Sequence, residues 1–306
     1  MSGAVTPAGA SSARISLGPI LYHWDAATKR DFYFRVADEA PVDIVYLGEI
    51  VCSKRAPFFA DHLPEVTERL TRAGKEVVHS TLALVMSERE GAALEALAAE
   101  PDLLVELNDL AGAGIVRGRR HVIGPFINVY NEGTVGYLAG NGAVRIVLPA
   151  ELPQAALKTL TAHAPEVAFE TQVFGRLPLA LSARCYHARA NGLHKDGCQY
   201  VCGQDPNGLD VDTLDGKGFL AANGTMTLSY VALNLVRQLD ALRAGGVSIF
   251  RLWPQAIDMV ALSQVYRDRL DGRLDPGAAA ARVEELAPFA PLAEAFYEDD
   301  AEPALA

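Results

Sequence analysis

Four cysteines carry the most distinctive chemistry this sequence offers: Cys52, Cys185, Cys198 and Cys202. The last three are spaced C-x12-C-x3-C within RCYHARANGLHKDGCQYVCGQD, a polar, turn-rich stretch that also holds His187, His194 and Lys195. Four thiolates make a full ligand set for a [4Fe–4S] cluster. Gly197 and Gly203 flank Cys198 and Cys202. Glycine lets backbone N–H groups approach a ligand closely, and N–H donors to cluster sulfurs help set its potential. Three rival readings stand beside this one. A free cysteine is commonly a small buried hydrophobe. Zinc also takes four thiolates, but normally as two close pairs, and only one close pair is present. Two disulfides would need an oxidising compartment, and no signal peptide is visible.

Cys52 lies 133 residues before Cys185, just past the apolar run DIVYL. Lys54 and Arg55 beside it could offset the charge of a thiolate-bound cluster; the plainer reading is a basic surface pair. Other polar residues fall in or after apolar runs: His79, Ser80, Asn108, Asp109, Tyr130 and Arg251. From such positions we take Glu49, Asn128, Asn131, Gln172 and Arg176 as candidate pocket residues. Any one of them alone is an ordinary cap or a satisfied buried group. There is no G-x-S-x-G elbow, no H-E-x-x-H zinc motif and no dinucleotide or phosphate loop. The catalytic residues stay unassigned.

Short apolar runs alternate with helical patterns through the first two-thirds of the chain. The expected strands are 17–22, 43–47, 77–84, 103–106, 121–129, 144–147 and 167–174. Helices are expected over 28–38, 58–72, 87–99 and 152–163. A repeat of about 25 to 30 residues suits one unit of a (β/α)8 barrel, and a doubly wound sheet shares the same local grammar. The rhythm breaks after Pro178, so irregularity is expected there. Helices resume over 230–243, with a last strand at 247–252 and a short helix over 277–289. The expected organisation is an α/β, TIM-like (β/α) barrel in a single domain over 15–290, with a cysteine-bearing loop insertion at 185–228. Residues 1–14 read as a disordered lead-in and 291–306 as a flexible acidic tail.

The chain has 306 residues, half of them hydrophobic and 21% charged, enough for a sizeable core. A net charge of −11 argues against a general nucleic-acid binder. The longest apolar runs are too short to span a bilayer, so a cytoplasmic protein is expected.

The segments YLGEIVCSKR (46–55), FINVYN (126–131), QVFGRLPLALSARCYHAR (172–189) and the C-x3-C at 198–202 resemble the collagenase-like peptidase family. The resemblance is to the branch that serves oxygen-independent ubiquinone biosynthesis, and it runs from about Leu17 to about Arg269. It implies a TIM-like barrel and one [4Fe–4S] cluster ligated by Cys52, Cys185, Cys198 and Cys202. It also implies a heterodimer with a second cluster protein, UbiU, and a lipid-binding accessory protein, UbiT. The implied reaction hydroxylates the ring of a ubiquinone precursor without O2, with prephenate as the oxygen source. His23 departs from the pattern, where a second tyrosine is expected. The wider family implies a rival, peptide hydrolysis, and a third reading is a scaffold whose cluster is only structural.

Overall fold

Eight parallel strands close into a barrel in which each is largely buried on both faces, by helices outside and by facing strand side chains inside. In the computed structural model, which describes residues 13–294 and 297, these are β1 (Arg14–Leu17), β2 (Ile44–Leu47), β3 (Glu76–Ser80), β4 (Val105–Leu107), β5 (His121–Ile123), β6 (Ala143–Leu148), β7 (Ala168–Leu181) and β11 (Ile249–Leu252). Neighbours follow chain order from β1 to β7, and β11 closes the ring between β7 and β1. Ile249 stands opposite both Arg14 and Glu170, which fixes the register of closure.

Successive strand residues point to opposite faces, and the packing obeys that rule. In β2, Val45 and Leu47 join the large core shared with the helices. Ile44 and Tyr46 point inward, where they meet Val78, Val122, Val147 and Ile249 in a small inner layer. The helices between strands are α1 (Ala26–Glu39), α2 (Leu63–Arg72), α3 (Glu88–Ala99), α4 (Glu132–Gly140) and α5 (Gln154–His163), with α8 (Met259–Leu270) and α9 (Pro276–Leu286) after β11. Helix α2 shows how each docks: Val66 and Leu70, one turn apart, are fully buried while its acidic and basic residues face out. Burying such a pair contributes about 2 kcal/mol per side chain. Helix α3 starts at Ser87, whose hydroxyl accepts from Glu90 N–H, as expected.

The regular alternation ends at β7, which runs 14 residues and climbs beyond the barrel. It pairs antiparallel with β10 (Met226–Asn234), followed by β9 (Gly218–Asn223) and β8 (Leu209–Asp212). Helix α6 (Tyr186–Ala190) and two 3-10 turns, Lys195–Gly197 and Val201–Gln204, lie between β7 and β8. Helix α7 (Leu239–Ala244) then leads into β11, and the short β12 (Leu292–Ala293) adds to β10.

Several expected elements shift. The first strand is 14–17 rather than 17–22, because Gly18-Pro19 breaks it; Ile20, Leu21 and Tyr22 are buried in the loop that follows. The helix expected over 230–243 shrinks to α7: Tyr230–Asn234 is strand, held by pairing with β7. Pro57 falls in a 3-10 turn, and α2 begins only at Leu63. Helix α4 was not foreseen. The expected insertion at 185–228 is two structures, a helical cysteine segment and an antiparallel sheet. The expected lead-in and acidic tail fall mostly outside the described residues.

Candidate functional site

All four cysteines line one small cavity, together with Lys54, Arg55, His187 and Lys195. Cys185 and Cys202 are buried, and Cys52 and Cys198 are half-buried. Each is brought there by a different device. After β2 the chain turns at Gly48, at φ +137°, where a Cβ would lie 2.4 Å from Ser80 O; only glycine fits. The Glu49 carboxylate then accepts from Val51 N–H (2.9 Å) and Cys52 N–H (3.0 Å). Thr225 Oγ1, from the β9–β10 turn, donates to Val51 O (2.8 Å). Cys185 caps α6, its Sγ accepting from Ala188 N–H at 3.4 Å. Lys54 Nζ donates to Lys195 O (2.8 Å), tying the Cys52 loop to the segment that carries Cys198. His187 is fixed between Ala222 O (3.1 Å) and the Asp205 carboxylate (2.9 Å).

Between Cys198 and Cys202 the backbone is strained. Gln199 and Tyr200 both take left-handed conformations, at φ +49° and +53°. Each costs roughly 1 kcal/mol for a non-glycine residue. Strain of this kind concentrates at ligand clamps. Tyr200 packs edge-on against Phe58, with ring centroids 4.7 Å apart, and against His23 at 5.7 Å.

Arg55 sets the electrostatics. It is 3% exposed, and its guanidinium donates to Leu21 O (2.8 Å) and Asn223 Oδ1 (3.0 Å). Among the described residues it forms no ion pair with a carboxylate. Burial works against its charge, yet Glu49 and the thiols of Cys202 and Cys52 hold its pKa above the ordinary arginine value. Burial in turn pushes the thiols of Cys52 and Cys202 up, with Arg55 pulling both back down. Anionic sulfur in this cavity would add to the negative charge that Glu49 already sets against Arg55. Among the described residues no group of three or more His, Cys, Asp or Glu is close enough to hold a single metal ion. Four thiols lining one cavity beside Lys54, Arg55 and Lys195 match a multi-iron cluster in ligand number, type and local charge.

The second polar assembly fills the barrel lumen. Arg251 donates through Nε to Glu170 (2.6 Å) and through Nη2 to Glu106 (2.8 Å), all three wholly buried. Ser16 and Tyr46 hydroxyls donate to Glu170, at 2.6 Å and 2.5 Å. Ser80 Oγ (2.6 Å) and Asn108 Nδ2 (3.1 Å) donate to Glu106. Arg145 bridges Tyr46 OH (2.9 Å) and Glu76 (2.6 Å). The Arg251 and Arg145 neighbours keep Glu170 ionised despite its burial, with its pKa below the ordinary value. Among the described residues no serine, threonine or cysteine is hydrogen-bonded to a histidine.

The model of peptidase family U32 matches residues 33–302, most of the chain and all four cysteines. The chain belongs to peptidase family U32. Among solved structures this U32 chain is similar to the U32 peptidase Mk0906, with a TM-score of 0.46 and 10% identity over 83% of this chain and 97% of that one. No helix among the described residues is long and apolar enough to cross a membrane.

The five candidate pocket residues of this U32 protein scatter. Glu49 positions Cys52 and also lines a neighbouring cavity with Lys29 and Tyr33. Asn128 and Gln172 share a third cavity, at the barrel mouth. Asn131 caps α4 by accepting from Thr134 N–H (2.9 Å). Arg176 is spent on Ser229 O, Tyr230 O and Asp210. Sequence reasoning missed Glu106, Arg145 and Glu170. Their signal was a lone charge inside an otherwise apolar strand, in VEL, VRI and FET. His23, noted in the sequence only as a departure from the family pattern, packs on Tyr200, which lies between the two cysteines of the C-x3-C.

Proposed function

We propose that this U32 protein holds one [4Fe–4S] cluster between Cys52, Cys185, Cys198 and Cys202, and that it is a UbiV-type subunit of an oxygen-independent ring hydroxylase. The observation that carries the reading is the meeting of Cys52 with three cysteines more than 130 positions later around one cavity. Such a cluster supplies one-electron transfer at a potential set by charge, hydrogen bonds and exposure. The chain's own residues have defined parts. Glu49 orients Cys52 through two backbone bonds. Lys54, Arg55 and Lys195 supply positive charge beside the sulfurs. Ala188 N–H donates to Cys185 Sγ. The left-handed Gln199-Tyr200 pair turns the chain so that Cys198 and Cys202 both face the cavity.

On this reading, which rests on the resemblance for its partners, the protein works as a heterodimer with UbiU, beside the lipid-binding UbiT. The substrate is a ubiquinone precursor and prephenate is the oxygen donor. The test is ubiquinone formation in anaerobic cells that lack the native protein and carry either wild type or the Cys185→Ser variant. Wild type should restore synthesis and the variant should not. Full activity in the variant would contradict the cluster; partner activity unchanged when the cluster is reduced would favour a scaffold whose cluster is only structural. Cleavage of a collagen-like peptide by purified wild type and variant alike would favour hydrolysis.

A further inference from the structure

Lys29 and Tyr33 stand four residues apart on α1, so they share one helix face, and that face is buried. Both line a cavity between α1, the Gly48-Glu49 turn after β2 and the segment 59–63. Lys29 is 7% exposed, and its ammonium lies 4.7 Å from the centre of the Phe59 ring. Among the described residues Lys29 Nζ makes no hydrogen bond and no ion-pair contact. Tyr33 is wholly buried. Ile20 N–H lies toward its hydroxyl oxygen, and the hydroxyl proton has no acceptor. A buried donor left unpaired is costly, and here two converge on one space.

Charge and volume decide what fills it. Two cations line the cavity, Lys29 and Arg55, against one carboxylate, Glu49. Glu49 already acts on both cations, and its Oε1 is held by the N–H groups of Val51 and Cys52. The lining is therefore one positive charge in excess. The cavity offers about 80 Å³. A water molecule takes about 30 Å³ of the liquid, and a cavity that admits benzene measures about 150 Å³, so the space suits roughly three or four heavy atoms and no ring. A carboxylate brings one negative charge and two oxygens to set against two donors. We propose that this cavity binds a small aliphatic monocarboxylate of formate or acetate size, with one oxygen on Lys29 Nζ and the other on Tyr33 OH. The ring of a ubiquinone precursor or of prephenate is too large for it, so this site is separate from the reactants named above. No cysteine lines it, and it stands whether or not the cavity between the thiols carries a cluster.

The test is a ligand-detected NMR titration of the full chain with acetate, followed by competition with acetamide and benzoate. Acetamide keeps the shape of acetate without its charge, and benzoate keeps the charge but adds a ring. Acetate should bind saturably. Acetamide should displace it only at about tenfold higher concentration, as expected when a bond between charged groups is lost, and benzoate should not displace it. Lys29→Met should abolish acetate binding. Tyr33→Phe, which removes only the unpaired hydroxyl and leaves the fold intact, should weaken it about tenfold. No saturable binding of acetate would overturn the proposal. So would acetate binding unchanged in Tyr33→Phe or in Lys29→Met, or displacement by benzoate or acetamide at equal concentration.

Discussion

The cysteine cavity and the barrel lumen are both polar, but they are built by opposite means. The cysteine cavity is made from loops. Its side chains arrive from three distant segments and are held by single bonds to backbone, such as Lys54 to Lys195 O and Thr225 to Val51 O. The lumen is made from strands. Its groups come from adjacent β-strands at fixed register and are held by fully buried ion pairs. The contrast teaches that the lumen belongs to the fold's stability, whereas the cysteine cavity is a loop-built attachment that carries backbone strain at Gln199 and Tyr200.

Glu170→Ala should break that comparison hardest. It strands Arg251 and leaves Ser16 and Tyr46 without their acceptor, so chemical denaturation should show a loss of about 3–5 kcal/mol. Cys52→Ala, measured without iron, should cost only about 1 kcal/mol. Equal losses would erase the distinction between the two regions. Glu49→Ala should cost about 1–2 kcal/mol, since it unpairs two N–H groups, and should lower iron retention because Cys52 loses its placement. Gln199→Gly removes a strained left-handed residue, and thermal unfolding should show it more stable by roughly 1 kcal/mol; a loss of stability there would mean that the turn is not strained.

The smallest effect concerns His23. Burial, then Arg55 and Lys29, push its pKa down to about 4. The unfolded chain takes up the proton near pH 6.5, the folded chain only near pH 4. This residue therefore makes stability fall as pH drops through that window, and its contribution is fully restored above pH 6.5. His23→Tyr should flatten the slope of stability against pH between 4 and 6.5; an unchanged slope would place its origin elsewhere.

How much of this was legible in the sequence differs between the same two regions. The barrel could be read from β-then-α alternation; the C-x12-C-x3-C stretch stood out by its turn-rich setting, but Cys52 joined it only through the family resemblance. The lumen network was not legible. Glu106, Arg145 and Glu170 each look like a single charge in a short apolar run, and only the closed register shows that they face one another. The second half of β10 was misread as helix because Tyr230–Asn234 has no local strand signal strong enough to compete; its pairing with β7 decides the matter. Asn131 was chosen for a pocket and proves to be a helix cap, since Asn before a Glu-Gly-Thr run serves either purpose until the helix is seen.

The most direct test of the central claim is iron and acid-labile sulfide content, with visible absorption, of the protein purified without oxygen as wild type and as Cys52→Ser. If the four distant thiols cage one cluster, wild type holds about four iron and four sulfide per chain, and Cys52→Ser loses most of both while keeping its fold. Full iron in Cys52→Ser, or one zinc per wild-type chain in place of iron, would contradict it.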